Sequence, residues 1–385
     1  MRIPRGAAPI LAAAAILASV LSFSCASRGP AVRALRASGP RRPGPEAAYR
    51  VDRFRLGWYD SVRNLETPAR LAALGFDSVL PYTTGTPVEN IRAYLTEAEK
   101  AGIGVHVDIT RGRSLEETGE PLDAYVHALR DSPAILSWYL ADEPEWRPKS
   151  TPRKLEASYS RIKALDPVLP VSIIFILPGL SEAYRGAVDH LWIDWYPVAR
   201  GSREFAAIRG GRYADRMKSF GRRADRYGLP LTIVPQGFGE REDGTPQFSR
   251  RLPTPAETRY MFWASFLARP VEIVYWTLYR TREDWLQESL MPEIRAFRER
   301  FPDSVEYFPD PGFRIEGGRT DSILLGNGRG GFWLVFLGRE SRDRDLSVAA
   351  PAGYAFGGAP GTAAREASFR LEPYGVRLLE ISEIP

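Results

Sequence analysis

The feature that most constrains this fold is an eightfold alternation of strand and helix signals between residues 54 and 301. Each apolar, strand-like run is followed by a helical period or a helix-start signal. Eight repeats over about 250 residues are typical of a (β/α)8 barrel, whereas a doubly wound open sheet usually has five or six strands. No strand is followed by a glycine-rich phosphate-binding fingerprint. The sequence therefore predicts an α/β fold, with a (β/α)8 TIM barrel over residues 51–302. The predicted strands are 54–60, 75–83, 102–110, 135–143, 170–177, 188–198, 230–239 and 271–280.

The sequence changes character after Pro302, where short apolar runs are punctuated by Gly and Pro and no helical period appears. Such runs are typical of antiparallel strands, and the NGRGG stretch at 327–331 predicts a hairpin turn between two of them. We therefore expect a small antiparallel β-sandwich domain over residues 303–385. We expect it to brace the barrel, with glycan binding as the alternative.

The N-terminus has the pattern of an export signal. Arg2 and Arg5 precede an apolar run at 7–23, and Cys25, the only cysteine in the chain, follows it. A charged segment followed by an apolar one is typical of a signal peptide. Cys25 has the position of the lipidated cysteine of bacterial lipoproteins, although Leu21 is one place too early for the usual lipobox. An ordinarily cleaved signal and a retained anchor are the alternatives. Residues 1–25 are predicted to be this signal, and 26–50, rich in Arg, Pro, Gly and Ala, a disordered linker.

These features predict an exported protein, anchored to a membrane only through a lipid on Cys25 or otherwise secreted. With no second thiol, disulfides and cysteine catalysis are excluded. The net charge of +5 comes almost wholly from arginine, because only five of the 52 basic residues are lysine. The arginines are scattered in sequence, so we expect no nucleic-acid partner.

Carboxylates and aromatic side chains recur at the predicted strand ends. In a (β/α)8 barrel the C-terminal strand ends and the following loops form the site. Aromatic faces pack on the C–H faces of sugar rings, and carboxylates and amides hydrogen-bond hydroxyls, so this combination favours a carbohydrate. The alternative is that the aromatics only fill the barrel core. The candidate substrate-binding residues are Trp58, Tyr59, Asp60, Tyr82, His106, Asp108, Tyr139, Tyr196, Gln236, Trp276 and Arg280.

The fourth predicted strand ends in two adjacent acids, Asp142 and Glu143, followed by Pro144. Proline cannot continue a strand ladder, so both acids should lie at the strand mouth. Asp194 ends the sixth strand. Crowded acids raise one another's pKa, and one that stays protonated near neutral pH can act as a general acid. Glycoside hydrolysis needs such an acid and a second carboxylate as nucleophile or base.

The segment 54–301 resembles the barrel of the clan A glycoside hydrolases. In that clan the fourth strand ends in Asn-Glu-Pro, so the resemblance implies that Glu143 is the acid/base and Asp142 a ligand of a substrate hydroxyl. Tyr275-Trp276-Thr277 resembles the end of the clan's eighth strand, whose Trp forms the floor of the sugar site. Asp194-Trp195-Tyr196-Pro197 resembles the sixth-strand Asp-x-Tyr-Pro of several sugar hydrolases.

One departure concerns the second catalytic group, because the clan's nucleophile is a Glu at the end of the seventh strand, where this chain has Gln236. Glu240 can reach the site from the following loop. Otherwise Asp194 or Asp108 would act as base on a water. The catalytic candidates are thus Glu143, Asp194 and Asp142. The prediction is a glycoside hydrolase acting on a poly- or oligosaccharide, and the alternative is a glycan-binding surface protein without catalysis.

Other chemistries have weaker support in the sequence. The three histidines, at 106, 127 and 190, lie in separate elements without metal-site spacing. Asp108 and Asp194 can in principle hold a divalent cation, yet their spacing does not require one. The chain has no Gly-x-Ser-x-Gly motif for acyl transfer. We therefore predict neither a metal nor a cofactor.

Overall fold

The computed structural model describes residues 42–83, 85–109, 122–147, 150–177, 179–206, 208–240, 245, 247–357 and 364–383. The export signal and Cys25 lie outside these residues. None of the helices within them is both long and apolar enough to cross a membrane.

Eight parallel strands close into a barrel, because the last of them, Glu272–Tyr275, pairs back onto the first, Arg55–Ser61. The predicted (β/α)8 barrel is therefore confirmed. All eight predicted strands are present in the predicted order, since parallel strands buried on both faces give the continuous apolar runs seen in the sequence. The barrel strands are β2 Arg55–Ser61, β3 Ser78–Tyr82, β4 Gly104–Asp108, β5 Ile135–Asp142, β6 Val171–Phe175, β7 His190–Trp195, β8 Leu231–Pro235 and β9 Glu272–Tyr275.

Helices surround the barrel. Proline stands at the first helical positions of several of them, where its missing N–H costs nothing. The α-helices are α1 Thr67–Ala73, α2 Val88–Ala101, α3 Leu122–Leu129, α4 Pro152–Leu165, α5 Arg212–Tyr227, α6 Pro255–Ser265 and α7 Met291–Arg300, the last preceded by a short helical turn at Glu283–Trp285 and a π-helical turn at Leu286–Leu290. Short 3₁₀ turns are Pro144–Trp146, Ser181–Ala187, Arg209–Gly211, Phe266–Ala268 and Leu278–Arg280.

The inside of the barrel is layered. At the base, the carboxylate of Glu272 accepts hydrogen bonds from Ser78, from His106 Nε2 at 3.1 Å and from Thr232 Oγ1 at 3.2 Å. Above this polar base lies a buried cluster contributed by seven strands. Its members are Tyr59, Leu80, Tyr139, Ile174, Trp192, Val234 and Val274. The layer above the cluster is the open C-terminal mouth, so the mouth has a rigid aromatic floor.

Two antiparallel sheets follow the barrel. The hairpin predicted around 327–331 is confirmed, because β12 pairs with β13 across it. Phe336 of one sheet and Val348 of the other belong to one buried cluster, while the sandwich arrangement stays a prediction. The six-stranded sheet has the order β1-β10-β12-β13-β17-β15 and the three-stranded sheet β11-β14-β16. Their bounds are β1 Tyr49–Val51, β10 Val305–Phe308, β11 Arg314–Glu316, β12 Thr320–Gly326, β13 Phe332–Gly338, β14 Arg344–Ala349, β15 Tyr354–Phe356, β16 Glu366–Leu371 and β17 Val376–Glu383.

The end of the predicted linker is ordered. Strand β1 pairs with β10 of the C-terminal sheet, so residues before the barrel complete that sheet. Arg42 is only 3% exposed and pairs with Asp225 at 2.5 Å. Its guanidinium also donates to the carbonyls of Ala268 and Arg269. Residues 42–50 therefore form part of the folded structure, because long-range partners satisfy a stretch whose composition alone is typical of disorder.

Candidate active site

Glu143 stands where β5 ends, at the C-terminal mouth. Its N–H donates to the carbonyl of Ile174 in the neighbouring strand at 3.1 Å, and Pro144 begins a 3₁₀ turn after it. The backbone of Glu143 is left-handed, with φ of 49° and ψ of 56°. Non-glycine residues rarely adopt this conformation, and it recurs at functional sites, where the surrounding structure holds it.

Asp194 lies beside Glu143. It comes from β7, where His190, Trp192 and Asp194 alternate towards the barrel interior, and it is only 2% exposed. Burial raises the pKa of Asp194 well above its usual range, and the nearby carboxylate of Glu143 raises that pKa further. The nearby charge of Asp142 acts in the same direction, and Tyr196 opposes it. Burial and the neighbouring acids therefore favour the protonated form of Asp194 at the mouth.

Asp142 completes the acidic group and is held by the turn after it. Arg147 Nε donates to the carbonyl of Asp142 at 2.6 Å, and its guanidinium lies 3.5 Å from the Asp142 carboxylate. Below Asp142, the hydroxyls of Tyr59 and Tyr139 are 3.2 Å apart and fully buried. Burial, and then neighbouring groups that include Asp142, raise the pKa of both tyrosines well above the usual range, so both hydroxyls keep their protons as hydrogen-bond donors.

An aromatic wall stands at the same mouth as the acids. Trp276 stacks on Tyr196 with ring centroids 5.6 Å apart, and its indole N–H donates to the Tyr82 hydroxyl at 2.6 Å. Phe238 packs edge-on against Trp276 at 4.5 Å. Trp276, Tyr82 and Tyr196 are partly exposed above the buried aromatic floor. The wall thus presents a flat indole supported from several sides, which is a suitable surface for a sugar ring.

Exposed apolar side chains surround the mouth. Among the described residues, seven large hydrophobic side chains are exposed, and all but Val168 follow the C-terminal end of a barrel strand. Arg280 lies over the Phe248 ring at 4.6 Å and over Trp276 at 5.4 Å. Sequence reasoning missed Trp146 and Phe248, although aromatic residues in loops after barrel strands are the signal that could have identified them. The six at the mouth are Leu65, Trp146, Leu177, Leu180, Phe248 and Tyr279.

Three of the predicted residues lie away from the mouth. Trp58 packs outside the barrel against Phe76 and Tyr275, at centroid distances of 5.9 and 5.3 Å. Asp60 also faces the helix layer; burial raises its pKa, and groups at Thr67, Ser61 and Arg70 lower it. Both alternate with Tyr59, which faces inward. His106 lies in the polar base, where Ser137 Oγ is 2.8 Å from its Nδ1.

Gln236 and Asp108 are buried at the ends of β8 and β4. The Gln236 amide oxygen accepts from Val198 N–H, and its nitrogen donates to the carbonyls of Val198, Phe238 and Arg251. Its side chain therefore pins two loops together. Asp108 Oδ2 accepts from Thr83 N–H at 3.4 Å, and the loop that follows it lies outside the described residues.

The other groups considered from the sequence can also be placed. Glu240 is half-buried near Arg251, whose pKa is raised mainly by its ion pair with Glu257 and only slightly by the charge of Glu240. The described residues contain no cluster of three or more His, Cys, Asp or Glu side chains suited to a metal. The site that the structure assembles therefore consists of Asp142, Glu143 and Asp194, with Tyr59, Tyr82, Tyr139, Tyr196, Trp276 and Arg280 around them.

The chain is similar in fold to glycoside hydrolases of known structure. A scan against family models and a search of curated protein sequences both return no match. A structure described as a glycoside hydrolase has a TM-score of 0.55 at 13% identity, covering 86% of this chain and 92% of its own. A family 5 glycoside hydrolase from Bacteroides vulgatus has 0.56 at 12%, covering 86% and 89%. A family 27 β-L-arabinopyranosidase from Geobacillus stearothermophilus has 0.57 at 11%, covering 87% and 98%.

These likenesses define the class of fold. The chain is a closed eight-stranded parallel barrel of the type seen in these structures, with antiparallel sheets appended at its C-terminal end.

Proposed function

We propose that this protein is a glycoside hydrolase acting on a poly- or oligosaccharide, with Glu143 and Asp194 as its catalytic carboxyl pair. The observation that carries the proposal is the placement of Glu143, directly after β5, and of the buried Asp194, near the end of β7, at the same barrel mouth as a partly exposed aromatic wall. Ligand sites of this fold lie at that end of the barrel. The fold shared with glycoside hydrolases supports the same class of reaction.

The division of roles within the pair follows from burial. The resemblance to clan A assigns the acid/base role to Glu143. However, Asp194 is the member whose protonated form is favoured by burial and by the neighbouring acids. We therefore assign the general acid to Asp194, which protonates the leaving oxygen, and the nucleophile or base to Glu143 at the strand end. Asp142, fixed by Arg147, then binds a substrate hydroxyl.

The closeness of the pair favours a double displacement. Inverting glycosidases hold their carboxyl groups about 6.5–9.5 Å apart to admit a water, whereas retaining ones hold them about 5–5.5 Å apart. Since the charge of Glu143 raises the pKa of Asp194, the two acids interact closely, and we propose the retaining mechanism for them. In the retaining sequence, Glu143 attacks the anomeric carbon as Asp194 gives its proton to the leaving oxygen. Water then releases the sugar from Glu143 and returns a proton to Asp194.

A second function, glycan binding without cleavage, is favoured by one observation. The position where clan A enzymes carry their nucleophile holds Gln236, whose amide is used wholly by backbone groups. The catalytic proposal needs no carboxylate there, because Asp194 supplies the second acid. Export with a lipid anchor at Cys25, and a sandwich that braces the barrel, complete the proposal.

The test is hydrolysis of a broad panel of polysaccharides and aryl glycosides, with Glu143→Gln and Asp194→Asn beside the unmodified chain. Glu299→Gln, an exposed change on α7, is the matched control. We expect turnover on at least one glycan, lost at least a hundredfold in both site variants and kept in the control. Glycan binding without turnover in the unmodified chain would favour the binding protein. Full activity in both site variants would refute the assigned residues.

A further inference from the structure

A second groove lies outside the barrel, between β7 and helix α5. Its volume is about 710 Å³, within the range of small-molecule sites. It is lined by Trp195 and Pro197 on one side and by the first two turns of α5 on the other. Trp195 follows Asp194 directly but faces outward, so the groove and the mouth lie on opposite faces of one strand.

Two arginines give this groove its charge. Arg212 and Arg216 line it, both are exposed, and neither pairs with a carboxylate of the described residues. Asp215, the acid in the lining, is already neutralised by Arg339 of the C-terminal sheet at 2.5 Å. Two unpaired guanidinium groups at one groove form a positive site, and guanidinium is suited to two parallel hydrogen bonds with a carboxylate.

The charge continues along the whole helix. Positions 212, 216, 219, 223 and 226 are three or four residues apart, so they share one face that is about 21 Å long. Arg222, Arg223 and Arg226 continue the arginine stripe, again without an ion pair to a described carboxylate. These arginines lie close together in the sequence, and the helix places them along one face. An elongated anion can contact several of them at once.

The indole ring of Trp195 indicates which class of anion the groove favours. Arg216 stacks over the Trp195 indole, with its guanidinium carbon 4.8 Å from the ring centroid. Trp195 is half-buried, so part of the ring is open to the groove. A ligand here meets both an apolar face and fixed N–H donors, a combination that matches a sugar ring bearing an acid group. Phosphate polymers would use the arginines alone.

A membrane surface fits less well. Binding in the plane of a bilayer needs apolar side chains that enter it. None of the seven exposed large hydrophobic side chains in the described part of the chain belongs to α5. The helix therefore offers charge without an inserting apolar face.

We propose that the groove between Trp195 and α5 is a second glycan-binding site, specific for chains that carry carboxylate groups, such as uronic-acid polysaccharides. The choice of a glycan rests on the proposed function, whereas the choice of an acidic one rests on Arg212, Arg216 and Trp195. The site holds an acidic chain beside the barrel while the mouth acts on it.

The test is the affinity of the full chain for polygalacturonate, measured by calorimetry at constant salt. The double variant Arg212→Gln with Arg216→Gln should weaken binding at least tenfold. Arg216→Lys alone should weaken it several-fold, because lysine keeps the charge but loses the two parallel N–H donors and the stacking on Trp195. Trp195→Ala should also weaken it. The control pair Arg153→Gln with Lys154→Gln removes the same charge from exposed positions on α4 and should change affinity less than twofold.

Other ligands separate the remaining outcomes. Neutral glucomannan should bind equally to all variants. Dextran sulfate, whose only anionic groups are sulfates, should bind more weakly than polygalacturonate, and equal groove-dependent affinity for the two would overturn the specificity for carboxylate. Equal loss in the control pair would overturn the proposal, as would tighter binding to a DNA duplex or to vesicles of anionic phospholipid. Groove-dependent binding by a protein without glycosidase activity would refute the proposed function but support the groove as a binding site. Hydrolysis without groove-dependent binding would support the proposed function and refute the second site.

Discussion

Buried His190 should control how the barrel responds to acid. It lies in the polar base, 7% exposed, with its Nε2 2.9 Å from Thr232 Oγ1. That hydroxyl donates its proton to Glu272, so it accepts one from His190, which fixes the imidazole as the neutral Nε2–H form. Burial lowers the pKa of His190 to about 3; Glu272 raises it, while His106 and Arg55 lower it further.

The size of the effect follows from this pKa. An unfolded histidine titrates near 6.5, so below that pH the unfolded chain binds a proton that the folded chain refuses. Stability from His190 is therefore fully present above pH 6.5 and is lost as the pH falls towards 3, at about 1.4 kcal/mol per pH unit. Between pH 7.5 and 4.5 this group alone should remove about 2.7 kcal/mol of unfolding free energy, a large part of a typical total of roughly 5–15 kcal/mol.

The assay is guanidinium unfolding, followed by tryptophan fluorescence, of the unmodified chain, His190→Gln and the exposed control His127→Gln. Gln keeps a donor near Thr232 and cannot titrate. The stability difference between the unmodified chain and His190→Gln should shrink by about 2.7 kcal/mol from pH 7.5 to 4.5. His127→Gln should follow the unmodified chain at every pH. Parallel curves for His190→Gln and the unmodified chain would refute the argument.

Three further outcomes are expected. Asp194→Asn should stabilise the protein at neutral pH, because the raised pKa of Asp194 in the folded state makes stability fall as the pH rises above the unfolded value of 3.8. Thermal melts should show that this gain vanishes in acid, and a gain independent of pH would contradict the argument. Thr254→Ala should lower the free energy of unfolding in chemical denaturation by about 1 kcal/mol, because it removes the capping box of α6. Thr151→Ala, at an N-cap without a side-chain hydrogen bond, should cost clearly less, and equal losses would refute the role of the cap. Trp146→Ala should raise KM for a polymeric substrate several-fold and change the free energy of unfolding by no more than about 0.5 kcal/mol. Val168→Ala, at the far end of the barrel, should leave KM unchanged. An unchanged KM in Trp146→Ala would remove Trp146 from the site.

The sequence was sufficient for the barrel because its signal is local. Each strand is buried on both faces and each helix has its own period, so eight repeats could be counted without any tertiary information. Strand β1 escaped detection because it has only three residues and pairs with Val305–Phe308, far along the chain. A pairing over such a separation leaves no local pattern.

The facing of side chains could be predicted only in part. In β2, Tyr59 lies between Trp58 and Asp60, and the two-residue period of a strand shows that Tyr59 faces the opposite side from both neighbours. The sequence does not say which face is the barrel interior. The structure places Tyr59 inside and the other two outside.

Gln236 shows the same limit at the site. It ends a barrel strand, as a substrate ligand would, and the sequence contains no sign that its amide is used elsewhere. Its partners at Val198 and Arg251 lie in two loops that meet only in the folded chain. The pairing of Glu143 with Asp194 was also visible only as acids at the ends of the fourth and sixth strands, and their closeness depends on the closure of the barrel.

The most direct test of the catalytic pair is the dependence of rate on the leaving group for Asp194→Asn and Glu143→Gln. A general acid is dispensable when the leaving group needs no proton, whereas a nucleophile never is. On aryl glycosides the account predicts that Asp194→Asn retains most of kcat/KM with a dinitrophenyl leaving group and loses at least a hundredfold with a phenyl one. Glu143→Gln should lose activity with both. The opposite pattern, or equal losses for every leaving group in both variants, would contradict the assignment of Asp194 as proton donor and Glu143 as its partner.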